Sequence, residues 1–259
     1  MSFQSSGGLR YFQFESFDKT LSQAMFTRQG GASPEPWASL NLGGTVGDDP
    51  QRVSENRRRL FTALGRDPGT VYDVWQVHGV EVALAQAPRA PESPHLQADV
   101  ILTDQPGLTL MMRFADCVPI FLHDPIHKAI GIVHAGWLGT VRGAASVAVQ
   151  AMQAQFGTAP ADLVAGIGPS IGPDHYEVGN DVAAQVCQAF GADAPGLISM
   201  QNGRTHFDLW AANRMLLERA GVKNIETAGL CTVCQNADWF SHRAEHGRTG
   251  RFGAVIALV

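Results

Sequence analysis

The sequence predicts a single layered α/β (α+β) domain over residues 1–259, with mixed β-sheets flanked by helices. Three observations lead there. Short apolar, strand-like runs alternate with amphipathic helical segments, but without the regular period of repeated βαβ units, which favours mixed over all-parallel sheets. A length of 259 residues and 45% apolar content suit a chain that buries a large core. No internal repeat, low-complexity block or linker interrupts the pattern. The proline-rich stretch 87–94 is short, and strand patterns resume on either side of it.

The elements follow in order. Residues 9–14 and 24–27 read as opening strands. Residues 28–50 form a long loop rich in Gly, Pro, Ser and Asn, read either as a surface meander or as a functional loop. Asp49-Pro50 supplies an N-cap acceptor and a first-turn proline for a helix running to Leu64 and stopping at Gly65. The NRRR run at 56–59 reads as its solvated face, with one arginine able to turn toward an anion. Strands are expected at 71–76, 80–85, 98–103, 108–113, 118–122 and 129–133. One long helix is expected at 140–156, capped by Thr140 and ended by Gly157. A buried strand at 163–167 leads into GPSIGPDHYEVG. Helices follow at 181–190 and from an Asp208 cap to just before Gly221, with strands at 225–229 and 253–259.

The composition excludes several classes. A net charge of −5 gives no basis for nucleic acid or an anionic membrane as partner. No apolar run approaches the ~20 residues of a bilayer-spanning helix. The N-terminal stretch lacks a basic start followed by an apolar segment, so no secretory signal is expected. Four cysteines are too few for a disulfide scaffold in a chain of this size. The expectation is a cytoplasmic protein with reduced thiols; the sequence is silent on oligomeric state.

The chemistry concentrates in FADCVPIFLHDPIHKAIGIVHAGWLGT, where Cys117 precedes one apolar strand and His134 follows the next. WQVHG adds His78 in a similar setting. A thiol and two imidazoles suit zinc with one position open. However, 39 residues separate His78 from Cys117 and 17 separate Cys117 from His134, so spacing alone does not distinguish a metal site from a buried cysteine with two hydrogen-bonded histidines. A Cys–His hydrolase is a third reading, with Cys117 as nucleophile and His134 or His78 as base. Asp116 could orient a partner only if the backbone turns there, because neighbouring strand residues face opposite ways.

Cys231 and Cys234 form a CxxC without the second pair that a zinc ribbon needs, and they read as two packed free thiols. The zinc-deaminase signature fails, since Glu81 lies three residues after His78 and Leu230 stands where a proline belongs. None of the nine histidines forms an HxH pair, which counts against several coppers. GPSIGP could offer amides to an anion, or simply form a rigid turn after a buried strand. Arg28 and Arg243 could grip a phosphate, or form structural ion pairs.

Taken together, RQGGAS, SLNLGG, GDDPQRVSENRRRL, WQVHG, ADVILTDQPGL, ADCVPIFLHDP, GIVHAGWLGT, GPSIGPDHYEVG and CTVCQNADWFSHRAEHGRTGR span most of the chain. In this order they resemble the peptidoglycan-editing-factor (YfiH-type) family of purine nucleoside enzymes, formerly called laccase-domain or polyphenol oxidase proteins. The resemblance implies a layered fold related to cysteine-hydrolase-like toxin domains. It implies a zinc site at His78, Cys117 and His134, with copper as the older label. It also implies phosphorolysis of adenosine, inosine or methylthioadenosine with inorganic phosphate, deamination of adenosine, and a role in peptidoglycan editing. Under that reading Cys117 is a ligand. Arg28, Asn41, Gly168 and Arg243 are then candidates for phosphate or ribose contacts, and Trp137 for stacking on a purine.

Overall fold

The computed structural model describes residues 2–18 and 20–259. The chain begins with β1 (Ser2–Ser6), β2 (Leu9–Gln13) and β3 (Leu21–Phe26), then enters α1 (Pro50–Leu64). Strand β1 carries no apolar alternation in sequence because it is a polar, partly exposed edge strand. The Asp49 side chain accepts from the Gln51 amide at the start of α1, and Gly65 closes it in a left-handed conformation.

Next come β4 (Val71–Tyr72), β5 (Val82–Leu84), β6 (Val100–Thr103), β7 (Thr109–Phe114), β8 (Val118–Asp124) and β9 (Ala129–Ala135). The expected helix at 140–156 is in fact two, α2 (Trp137–Val141) and α3 (Ala144–Phe156). Gly143, at φ +81°, breaks it, a conformation that favours glycine. The remainder is β10 (Val164–Ile167), α4 (Asn180–Phe190), β11 (Ile198–Gln201), β12 (Arg204–Phe207), α5 (Leu209–Arg219), β13 (Asn224–Thr227) and β14 (Phe252–Leu258). The β11–β12 hairpin was not expected. Its signal is the Asn202-Gly203 pair, both at positive φ as a tight hairpin turn requires.

Two six-stranded mixed sheets form the body, in the orders β1-β2-β3-β14-β7-β4 and β13-β10-β8-β9-β6-β5. Parallel pairing is confined to β4/β7 in the first and to β13/β10 and β5/β6 in the second. Side chains from both sheets meet in one apolar layer, among them Phe14, Met25, Leu110, Phe114, Phe121, Ile130, Ile132 and Ile256. The other face of the second sheet, through Val118, Ile120, Leu122 and Val133, packs on α3, α4 and α5. The outer face of the first sheet, through Phe26, Met111 and Val255, packs on Leu60 and Phe61 of α1. The order is therefore helix, sheet, sheet, helices, and the second sheet is buried on both sides. This burial explains its near-continuous apolar strands.

The 56–59 run is not a uniformly solvated face. Asn56 is fully buried: its amide nitrogen donates to Ser33 Oγ, Ser39 O and Asn41 O, and its oxygen accepts from the Ala32 amide. It thereby pins the 28–50 loop to α1, while Arg58 and Arg59 pair with Glu55 on the outside. Replacing Asn56 with alanine strands the Ala32 amide. It should lower the unfolding free energy in urea by about 2–3 kcal/mol with little change in the denaturant slope.

Candidate active site

Strands β7, β8, β9 and β14 reach a common edge, since Phe114 pairs with Phe252 and Val118 with Ala135. The site forms at that edge. His134 lies within β9, not after it, and faces the layer between the sheets, where the Phe114 ring sits 5.4 Å away. Cys117 ends the short turn between β7 and β8. His78 arrives on residues 73–79, which leave the first sheet early; this is why the expected strand at 71–76 is only two residues long. The Gln76 side chain continues the pairing in place of the backbone, donating to Arg113 O at 2.8 Å and accepting from Arg113 N at 2.9 Å.

The ligand atoms of His78, Cys117 and His134 all lie within 4.8 Å of one another. Exposure is graded, from buried His134 through half-buried Cys117 to exposed His78, so the cluster opens to one side. Gly136 makes the convergence possible: a Cβ there would come within 2.9 Å of Cys117 Sγ and 3.1 Å of His78 Cδ2. Two non-glycine residues take the left-handed conformation here, His78 at φ +60° and Asp116 at φ +80°. The backbone does turn at Asp116, yet this carboxylate orients no imidazole. It accepts from Thr232 Oγ1 at 2.6 Å and from the Arg243 amide at 2.7 Å, tying the turn to the C-terminal segment.

The orienting carboxylate is Asp99, which sequence reasoning missed. It is fully buried and accepts from His134 Nδ1 at 2.7 Å and from the amides of Val77, His78 and Gly79. With Nδ1 committed to Asp99, Nε2 of His134 is the nitrogen left to face Cys117 and His78. Burial pushes the Asp99 carboxyl up, but the His134 hydrogen bond and charge and the loop amides hold it below the usual range. Burial likewise opposes ionisation of Cys117 and His134. Their mutual attraction outweighs it, with the His78 hydrogen bond helping the thiol and Asp99 the imidazole. The thiol is brought down to about 6 and the imidazole up to about 9. The donor types, the committed Nδ1 and the space left by Gly136 fit a bound metal ion.

The cluster lies in a cleft of about 720 Å³, the size of a small-molecule site. Arg57, Arg113, Arg243 and Arg251 line it, with His95, His242 and Tyr176. Arg113 is committed to Asp73, as are Arg89 and His95. Among the described residues, Arg57, Arg243 and Arg251 have no carboxylate partner within salt-bridge distance and bond to backbone carbonyls instead. Burial, then the Arg113 charge, lower the Arg57 guanidinium to about 10, where it is still protonated at neutral pH. The wall is therefore electropositive and suited to an anion.

Of the residues suggested for phosphate, ribose or purine, only Arg243 lines this cleft. Arg28 stacks on Phe240, pairs with Glu245 and bonds to Ala38 O and Asn236 O, beside a separate depression of about 560 Å³. Asn41 is buried in bonds to Gly43, Asp48 and Arg251. Gly168 packs against Met25 and Pro119, and the amides of its turn are spent on Pro119 O, Leu230 O and Asp116 O. Trp137 packs with the helices. Polar loop residues that serve loop closure look, in sequence, like those that serve a ligand.

The family model described as multi-copper polyphenol oxidoreductase laccase matches residues 22–259. A purine nucleoside phosphorylase of Deinococcus radiodurans is 44% identical over 239 residues, covering 92% of this chain and 89% of the relative. The crystal structure of YlmD from Geobacillus stearothermophilus superposes with a TM-score of 0.92 at 34% identity, covering 99% of this chain and 98% of that one. The Bacillus licheniformis hypothetical protein YfiH gives a TM-score of 0.92 at 32% identity, with 99% of each chain covered.

Two outcomes follow from these contacts. Asp99→Asn removes the negative charge behind the His134 ring and should weaken metal binding about 10–100-fold in chelator competition. Asp73, held down to about 2, is 3% exposed; burial raises its pKa, but Arg113 and Arg89 overcome that. The unfolded carboxylate binds protons first, so its contribution of about 2 kcal/mol is full above about pH 4 and lost as pH falls through 2. Urea unfolding of wild type and Asp73→Asn across that window should show their difference collapse.

Proposed function

Because this chain belongs to the family described as multi-copper polyphenol oxidoreductase laccase, with relatives named purine nucleoside phosphorylases, we propose that it is a zinc-dependent purine nucleoside enzyme. It cleaves adenosine, inosine or methylthioadenosine with phosphate and deaminates adenosine. The observation that carries this reading is a single cleft joining the His78–Cys117–His134 donor set to three arginines that, among the described residues, have no carboxylate within salt-bridge distance.

Zinc held by those three residues would supply a Lewis acid with one open position. Arg57, Arg243 and Arg251 bind the phosphate and aim one oxygen at ribose C1. As the C1–O bond forms, the C1–N9 bond breaks and its electron pair leaves with the base, which takes up a proton. The imidazoles of His95 and His242 line the same cleft and are able to carry that proton. In deamination, water enters at the purine C6 and ammonia leaves. The four cysteines are free thiols, in keeping with a cytoplasmic setting. No helix among the described residues is long and apolar enough to cross a membrane.

A second reading rests on the close approach of the Cys117 thiol to the His78 and His134 rings, all within 4.8 Å, with the His134 charge drawing the thiol pKa down. It makes the protein a cysteine hydrolase or amidase acting on peptidoglycan precursors, with Cys117 as nucleophile. Copper-dependent phenol oxidation fits less well, because the cleft holds one three-residue donor set where coupled coppers need several.

Elemental analysis combined with chromatography of adenosine and phosphate incubations tests the choice, with wild type and His78→Ala compared. The zinc reading expects adenine or inosine from metal-loaded wild type and at least a 100-fold loss in the variant. Undiminished activity in metal-free protein would sink it and leave Cys117 as the nucleophile.

A further inference from the structure

Outside the cleft, a second group of donors converges. Asp174 and His175 follow the turn after β10, while Cys231 and Cys234 lie on the segment after β13. One ligand atom from each of the four lies within 4.8 Å of every other. His175 Nδ1 is 3.7 Å from Cys231 Sγ and 3.6 Å from Cys234 Sγ, and Cys234 Sγ is 3.8 Å from Asp174 Oδ2. These are ordinary lengths for contacts to sulfur, and His175 Nδ1 also lies 3.1 Å from Asp174 Oδ1. The same sulfur separations also match the edge of a tetrahedron around zinc, about 3.6 Å for a nitrogen–sulfur pair at ordinary zinc–ligand lengths.

The surroundings are built to the same end. The Gly172 amide donates to Cys231 Sγ at 3.2 Å, as backbone amides do to thiolates that hold a metal. A Cβ at Gly172 would crowd the donors, coming within 3.1 Å of Cys231 Cβ, 3.2 Å of Cys231 Sγ and 2.7 Å of Asp174 Oδ1. The two segments are already in register, through Ser170 N to Leu230 O and Thr232 N to Ser170 O. The CxxC lacks a second CxxC in sequence because its partners are an Asp-His pair, with His175 lying 56 residues before Cys231.

We propose that Asp174, His175, Cys231 and Cys234 form a second zinc site, structural in kind, that clamps the turn after β10 to the C-terminal segment. Four protein ligands close the coordination sphere, whereas the three of the cleft leave it open. On binding, each thiol S–H bond breaks and a Zn–S bond forms. Two protons go to solvent, and neither metal nor sulfur changes oxidation state. The clamp bears on the cleft, because Arg243 donates to His175 O at 3.3 Å and to Glu177 O at 2.9 Å, and its guanidinium lies 5.3 Å from the Tyr176 ring centroid. This inference does not depend on the reaction assigned to the cleft.

The test is metal stoichiometry of the full chain after zinc loading and removal of excess, for wild type, Cys234→Ser and His175→Ala. Both changes are at the surface and leave His78, Cys117 and His134 intact. Each variant should hold one zinc fewer per chain than wild type. In the cobalt-loaded protein, thiolate-to-metal absorption should fall from three thiolates to one in Cys234→Ser. Zinc should also raise the melting temperature of His78→Ala but not of His78→Ala/Cys234→Ser. Equal zinc in wild type and Cys234→Ser overturns the proposal. So does intact-mass evidence of a Cys231–Cys234 disulfide in protein kept under thiol reductant. A single zinc per wild-type chain that is lost in His78→Ala also overturns it.

Discussion

The arrangement of the site depends on one buried carboxylate. Asp99 opens the segment leading into β6, is wholly removed from solvent, and gathers three amides of the His78 loop and the ring of His134. An isolated buried charge would be costly, and this one is stable because four donors surround it. The same contacts tie a loop of the first sheet to a strand of the second. His78 and His134 therefore meet through a shared partner and not through packing alone, and the imidazole keeps a single donor direction.

The two-sheet architecture determines what else can meet there. Antiparallel pairing brings the ends of β7, β8, β9 and β14 to one edge, so loops distant in sequence become neighbours without long excursions. The sheets and their helices supply a rigid, apolar base. Backbone carbonyls, in place of acids, hold Arg57, Arg243 and Arg251, which leaves their charge for whatever enters. Asp73 does the opposite for Arg113 and Arg89, neutralising them at the rim. The difference between the two sets is a matter of partner, which residue type does not reveal.

This also explains what could be read in the sequence. Cys117, His78 and His134 stood out because thiols and imidazoles at strand ends are chemically conspicuous, and the α1 caps and most strands follow local rules. Asp99 did not, because one aspartate before VILT looks like any polar residue entering a strand. Arg57 was hidden in NRRR, where neighbours one residue apart face a buried asparagine network, the cleft and solvent in turn. Arg28, Asn41 and Gly168 were conspicuous as loop residues, but their polarity or small size is used to close loops 28–50 and 168–177. The break at Gly143 was masked by an apolar pattern that runs on across it.

The position of β14 has a consequence for how the chain must be made. The strand at 252–258 lies in the middle of the first sheet, between β3 and β7, and Arg251 just before it forms part of the cleft wall. During synthesis these two strands wait with unpaired edges until their shared neighbour is delivered, 226 residues after the end of β3 and 138 after the end of β7. A product truncated ahead of Phe252 would not be an enzyme short of a tail. It would be two half-sheets with open hydrogen-bonding edges and an exposed apolar layer, prone to aggregation and a natural client of chaperones and proteases.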